Sequence, residues 1–358
     1  MINLKNFLDH KIHIDSLSLK KKFALNQLKQ LTEHHYNRCK EYKKILVSEN
    51  YSFKKIKKIE DLPFLPTDLF KRYSLKSVPE KKIYKILNSS GTSGQLPSKI
   101  YLDKETSNLQ SKVLVKIVNS IIGSSRIPMI IIDSPKILKE KTTYSARVAG
   151  ILGFSIFATE KFYLFDENMN INFKELNIFL NKYKNKKILL FGFTFIIWKH
   201  FYKIIANLNK KINIPNGILI HGGGWKKLND NKVTNGEFKK KLKNLFGLKE
   251  IYNYYGMVEQ TGSIFMECEK GYFHSSLFND ILIRNMNTLE INPTNKLGVI
   301  QTISLIPISY PGHSILTEDV GVIAGLNGCK CGAEGKFFKV NGRLKKAEIR
   351  GCSDTYEF

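Results

Sequence analysis

Cysteine is scarce in this chain, five residues in 358, and the odd number without framework spacing excludes a secreted disulfide scaffold. Reduced thiols are expected. Long apolar runs are missing as well: the longest, Ile188 to Trp198, falls far short of the ~20 residues that span a bilayer. The charged, mixed start from Met1 to His10 carries no apolar leader region. These absences predict a cytoplasmic protein with no transmembrane segment. Acidic residues are few, 31 against 57 basic ones, for a net charge of +26. Such a surplus attracts an acidic carrier protein, an anionic membrane surface or nucleic acid. The lysines, however, are spread through every region, as at Lys20 to Lys22, Lys54-Lys55, Lys81-Lys82 and Lys239 to Lys243. They are not gathered with aromatics into one tract, which disfavours a nucleic-acid partner. Together with abundant Asn and Ile, the surplus also reads as the coding bias of an AT-rich genome. No Gly-x-Ser-x-Gly elbow is present, so no serine hydrolase is indicated. Internal repeats and low-complexity tracts are absent too.

What the chain does have is enough apolar material, 42% of residues, for a sizeable core in one large α/β domain or two smaller ones. Residues 1–60 read as a helical arm, because Leu17, Leu19, Phe23, Leu25, Leu28 and Leu31 recur at near-helical spacing. Pro63 and Pro66 end it, and the segment that follows is expected to lie against the main body. From Lys82 onward short apolar runs alternate with amphipathic stretches, the pattern of parallel strands and crossover helices. Strands are predicted at Lys82–Leu87, Pro128–Asp133, Ile188–Phe191, Asn216–His221 and Ile251–Tyr254, with a helix over Thr106–Ile122. The division expected is an α/β nucleotide-binding core over 61–270, a strand-rich subdomain over 271–341 and a short tail over 342–358.

Each glycine motif stands at a predicted strand's carboxyl end, where open α/β sheets bind ligands. After the first strand comes Ser89-Ser90-Gly91-Thr92-Ser93-Gly94, then Lys99. Two glycines permit a tight turn, the hydroxyls add donors and the lysine adds a compact charge, a combination suited to phosphate. It is not the Walker pattern, which ends in adjacent Gly-Lys-Ser/Thr. Taken singly, such a cluster is also an ordinary surface loop.

Three later islands occur in order: Tyr255-Gly256-Met257-Val258-Glu259-Gln260-Thr261-Gly262, Thr317-Glu318-Asp319-Val320-Gly321, and Gly342-Arg343 through Gly351. With the Ser/Thr/Gly loop they resemble the adenylate-forming superfamily of acyl-CoA synthetases, luciferases and peptide-synthetase adenylation domains. Asp61 to Lys71, His221-Gly222-Gly223-Gly224-Trp225-Lys226 and the ending Arg350 to Tyr356 resemble its acyl-protein synthetase (LuxE-like) branch, related to phenylacetate-CoA ligases. The likeness runs from about residue 60 to the end. It implies the large N-terminal domain of the adenylate-forming α/β fold, with mixed sheets, packed helices and a strand-rich subdomain. It also implies an ATP-dependent ligase that makes acyl-AMP from a carboxylic acid, a fatty acid in the family, with ATP and Mg²⁺.

By that resemblance Ser90 to Gly94 would wrap the β/γ-phosphates and Lys99 would add charge. Gly222 to Gly224 would pack on adenine and Tyr254 or Tyr255 would stack on it. Glu259 would hold Mg²⁺, Asp319 would accept from the ribose hydroxyls, and Arg343 would reach ribose or phosphate. Only seven residues follow Gly351, so the mobile C-terminal domain of acyl-CoA synthetases, with its catalytic lysine, is expected to be absent. Acyl-protein synthetases instead use a cysteine near the carboxyl terminus, the place held here by Cys352. The acyl group would pass from it to an acceptor protein: a reductase, a transferase or a carrier. The alternatives are an adenylating ligase that delivers to CoA or a carrier protein, with Cys352 idle, and a non-catalytic nucleotide-binding subunit.

Outside that set stand Cys268, His274, Cys329 and Cys331, three thiols and an imidazole in two clusters. They form either a Cys₃His structural zinc site or an accidental grouping. His34, His35, His200 and Cys39 have no partners at chemical spacing and are read as packing or surface residues.

Overall fold

The computed structural model describes residues 17–89, 96–138, 145–208, 212–224 and 233–344. It divides into two compact units, one made from the chain up to Ile117 together with Gly256–Glu348, the other from Val118–Tyr255.

The first unit begins with α1 (Leu17–Arg38) and α2 (Lys40–Ser48). Ala24, Leu28, Leu31 and His35 fall three or four apart on α1 and are all buried, the stripe a surface helix turns to its core. Between Pro63 and Thr67 the chain joins the sheet: β1 (Leu65–Pro66) pairs in parallel with β13 (Ser314–Gly325), Leu65 opposite Ile315. Strands β2 (Lys85–Asn88) and β3 (Lys99–Leu102) form an antiparallel hairpin. The first of these starts three residues later than the apolar pattern suggested, because Glu80–Lys82 after Pro79 is a 3₁₀ turn. The remaining strands are β9 (Phe265–Glu267), β10 (Phe273–His274), β11 (Asn279–Arg284), β12 (Gly298–Ser304) and β14 (Phe337–Arg343). They pair antiparallel in the order β11-β12-β13-β14-β10-β9.

The second unit is an all-parallel sheet in the order β5-β4-β6-β7-β8. Its strands are β4 (Ile127–Ile131), β5 (Ala158–Tyr163), β6 (Ile188–Phe193), β7 (Gly217–Gly222) and β8 (Glu250–Tyr255). Every residue of β6 and β7 is buried, as expected of parallel strands covered on both faces. Among the described residues, no helix is long and apolar enough to cross a membrane.

Three buried histidines make the fold sensitive to acid. In the first unit His35 stacks on His313, ring centroids 5.1 Å apart. The His35 Nε2 donates to the Pro307 carbonyl at 3.1 Å, and His313 Nε2 lies 3.0 Å from the Thr32 hydroxyl. In the second unit His221 is equally buried. Burial, aided by neighbouring His34, holds His313 down at about 3; burial, aided by Lys239, does the same for His221. Burial, aided by His313 and His34, pushes His35 well below its ordinary value. These groups fold neutral and are protonated more readily unfolded. Their contribution is therefore complete above about pH 6.5 and is lost as pH falls toward 3, at about 1.4 kcal/mol per pH unit for each histidine. Urea midpoints should drop steeply from pH 7 to pH 5, and equal midpoints at the two pH values would contradict the assignment.

Candidate active site

In the first unit the β2–β3 hairpin carries the phosphate-loop candidate. Ser90 to Gly94 lie outside the described residues, but the stem that presents them is defined. The Ser89 N–H donates to the Ser98 carbonyl at 3.1 Å, and the Ser98 N–H donates to Ser89 Oγ at 2.8 Å. Lys99 follows at the start of β3, exposed, with Asn88 opposite in the ladder.

Beside that stem is Glu259. Its short 3₁₀ helix, Val258–Gln260, is clamped from three directions. The Tyr310 hydroxyl donates to the Glu259 carbonyl at 2.7 Å, and Gln260 Nε2 donates to the carbonyls of Gly312 at 2.9 Å and Thr302 at 3.2 Å. The third restraint is close approach: Gly262 has φ +84° and a Cβ there would meet the Gln110 backbone at 2.5 Å, so only glycine fits. The Glu259 side chain is 6% exposed. Burial pushes its carboxyl above the ordinary carboxylate range, opposed by the Ser98 hydroxyl and by the charges of Lys71 and Arg343. Asp319 and Arg343 face each other across β13 and β14, Arg343 Nε donating to Asp319 Oδ1 at 3.0 Å. The first unit thus gathers the loop stem, Glu259, Asp319 and Arg343.

Ser98 and Lys71 belong to this neighbourhood and were missed by the sequence reading. Lys71 lay in view inside the Asp61–Lys71 motif; Ser98 carries no signal, being one serine in a polar loop.

In the second unit the other two motifs meet at the carboxyl ends of β7 and β8. A Cβ on Gly222 would fall 2.4 Å from the Tyr254 ring, so this glycine exists to let the tyrosine lie on the backbone. That ring is also stacked with Phe191, centroids 6.3 Å apart, and tilted against Phe154 at 5.4 Å. Gly223, with φ +78°, and Gly224 are exposed, and among the described residues a Cβ on Gly224 would meet nothing within 4 Å. The open backbone face therefore belongs to Gly224, while Tyr254 covers Gly222. Tyr255 is half-buried. The Thr194 hydroxyl donates to the Gly222 carbonyl at 3.1 Å and lies 2.9 Å from His221 Nδ1, fixing the start of the glycine run. Just past β4, Arg147 and Asp133 form a fully buried bidentate pair, with Arg147 Nε donating to Asp133 Oδ2 at 2.6 Å.

Two further predicted elements fared differently. Cys352 lies outside the described residues, as does the whole stretch from Lys345. Cys268, His274, Cys329 and Cys331 do come together: their ligand atoms all lie within 4.8 Å of one another. His35 is buried and Cys39 is a buried free thiol.

Comparison with solved structures shows that the chain shares its fold with 2-hydroxyisobutyryl-CoA ligase. Structures of 2-hydroxyisobutyryl-CoA ligase in complex with 2-HIB-AMP superimpose with TM-scores of 0.72 and, in an open conformation that also holds CoA, 0.71. Both are 13% identical; they cover 93% and 92% of this chain, and 69% and 76% of theirs. The family model described as acyl-protein synthetase, LuxE, matches residues 13–357, and the chain belongs to that family. Two curated proteins are similar to it, both named long-chain-fatty-acid–luciferin-component ligase. The one from Aliivibrio fischeri is 24% identical over 310 residues, 81% of this chain and 76% of its own. The one from Vibrio harveyi is 22% identical over 359 residues, 92% of this chain and 88% of its own.

Proposed function

We propose that this protein activates a carboxylic acid with ATP and passes the acyl group through its own thiol to a protein acceptor, from a cytoplasmic location. A long-chain fatty acid is the substrate class, in line with the names of the two curated relatives. The observation that carries the reading is the gathering, within one unit, of the Ser89–Ser98 loop stem, the buried Glu259 and the Asp319–Arg343 pair. Those groups are what polyphosphate, a divalent cation and a ribose respectively require.

In the first step a carboxylate oxygen attacks the α-phosphorus, the bond to the bridging oxygen breaks, and pyrophosphate departs with its electron pair. Ser89 to Gly94 and Lys99 would hold the leaving phosphates, and Arg343 would counter the charge that builds there. Asp319 would accept from the ribose hydroxyls. Gly223 and Gly224 would offer the flat backbone for the base, with Gly222, Tyr254, Tyr255 and Gly256 forming its support.

Glu259 fits Mg²⁺: a carboxylate that is costly to charge when alone is stabilised by a divalent cation beside it, and this ion favours one or two carboxylates plus substrate phosphates. When bound it would supply charge neutralisation on the phosphates. In the second step the Cys352 thiolate attacks the acyl carbon, a C–S bond forms, and AMP leaves. Reductase, transferase and carrier protein are the acceptor classes that take such a thioester. Cys268, His274, Cys329 and Cys331 have no part in this chemistry.

The test incubates pure protein with ATP, Mg²⁺ and labelled acids of several chain lengths. Acid-dependent exchange of pyrophosphate into ATP and hydroxylamine-labile label on denatured protein are both expected, with longest-chain acids preferred. Absence of exchange with every acid would leave a nucleotide-binding subunit instead.

A further inference from the structure

We propose that Cys268, His274, Cys329 and Cys331 bind one structural Zn²⁺ that fastens two hairpins of the first unit together. Four protein ligands of this type form the closed tetrahedral set of structural zinc, with bonds of about 2.3 Å to sulfur and about 2.0–2.1 Å to nitrogen. Those bonds set tetrahedral edges of about 3.8 Å between two sulfurs and about 3.6 Å between sulfur and nitrogen. Here Cys268 Sγ and Cys329 Sγ are 4.0 Å apart, and Cys331 Sγ and His274 Nε2 are 3.5 Å apart. All four ligand atoms fit inside 4.8 Å. The sulfurs are too far apart for a disulfide, which needs about 2.05 Å, and all three cysteines are free.

The backbone is shaped for the same purpose at both ends. Cys268 opens a turn closed by the Gly271 N–H on the Cys268 carbonyl at 2.9 Å; Cys329 opens one closed by the Gly332 N–H on the Cys329 carbonyl at 2.9 Å. Each closing glycine has a left-handed φ, +78° and +83°. Two turns of one design, far apart in sequence, thus aim thiols at one point. The Ala333 N–H donates to Cys331 Sγ at 3.4 Å.

The site has mechanical work to do. Cys268 directly follows β9 and His274 ends β10, a hairpin with only two paired positions. Cys329 and Cys331 lie in the connection from β13 to β14. A hairpin that short is not stable by its own ladder. Zinc would lock it to the connection that leads into β14, and so fix the strand carrying Arg343. Thiolates with imidazole select zinc over the Mg²⁺ of the nucleotide chemistry.

The experiment measures metal in the full chain, purified without chelator and dialysed against metal-free buffer. About one zinc per chain is expected. Cys268→Ser and Cys331→Ser should each lower it at least tenfold, whereas Cys39→Ser, a buried thiol outside the cluster, should keep it. Because ligand variants can misfold, wild-type protein exchanged with Co²⁺ provides a second readout. Strong thiolate-to-cobalt charge transfer and intense tetrahedral d–d bands support the site; a weak octahedral spectrum overturns it. So do a chain that holds less than a tenth of a zinc, a Cys268→Ser variant that keeps its full metal, and a thiol titration that finds Cys268 and Cys329 oxidised together.

Discussion

Replacing Glu259 by glutamine should cut acid-dependent pyrophosphate exchange by about a thousandfold and yet make the protein more stable at pH 8. The loss comes from removing the buried Glu259 carboxylate beside the phosphate-loop stem. Neutralising developing phosphate charge through a metal is worth several kcal/mol, and each tenfold in rate corresponds to about 1.4 kcal/mol. The gain comes from the same burial. Glu259 is raised above its ordinary 4.5, chiefly by desolvation, so the folded chain holds this proton to higher pH than the unfolded chain does. For an acid with a raised value, stability is greatest below about pH 4.5 and declines as pH rises through the folded value. As pH rises the wild type bears more of the cost of the buried charge and glutamine bears none. At pH 8 the Tm of the variant should therefore exceed that of the wild type. The difference in Tm should shrink as pH approaches 5. A variant less stable at every pH would mean that the carboxylate has a stabilising partner, and exchange within threefold of wild type would remove Glu259 from the metal.

Much of this arrangement was visible in the amino-acid order, and the part that was not has physical reasons. The runs at Ile188–Phe191 and Asn216–His221 could be read as strands because parallel strands buried on both faces need unbroken apolar sequence; the strands observed are Ile188–Phe193 and Gly217–Gly222, every residue buried, with Asn216 left exposed in the turn before the second. Glycine at the end of β7 was equally legible, but its immediate cause was not. Tyr254 lies 32 positions beyond Gly222, and nothing in either motif says that the ring covers that glycine while Gly224 stays open. The seam within the chain, between Ile117 and Val118, falls inside a helix (Lys104–Ile122) and is marked by no proline, glycine or change of composition.

Long-range convergence was the least visible. Ser98 comes to Glu259 from 161 positions away, and His35 to His313 from 278. Side chains so distant in order are placed by strand pairing, here β1 on β13 and the β2–β3 hairpin, which local periodicity does not encode. The Cys/His set shows the middle case. Its chemistry could be read from residue types, while its geometry required the β9–β10 hairpin and the β13–β14 connection to meet.

Under the proposed mechanism, changing Cys352 to alanine should separate the two half-reactions. Pyrophosphate exchange reports only the attack of carboxylate on ATP and should stay within about twofold of wild type, because the thiol enters after pyrophosphate has left. Label retained on denatured protein should fall at least fiftyfold. Serine in place of cysteine adds a sharper discrimination, since any acyl group it captures is an oxyester and resists neutral hydroxylamine, whereas the thioester of the wild type is cleaved. The transfer step needs the thiolate, whose free value is about 8.5. Single-turnover acylation should therefore rise about tenfold per pH unit until the thiol is ionised and then level off. Lys345, Lys346 and Arg350 stand close to Cys352 in sequence, and cations favour a thiolate. Converting all three to glutamine should move the levelling point to higher pH without changing exchange. Label that survives in Cys352→Ala and remains hydroxylamine-labile would assign the acceptor to another thiol. Exchange without retained label in either protein would make the chain an adenylating ligase that delivers directly to CoA or a carrier.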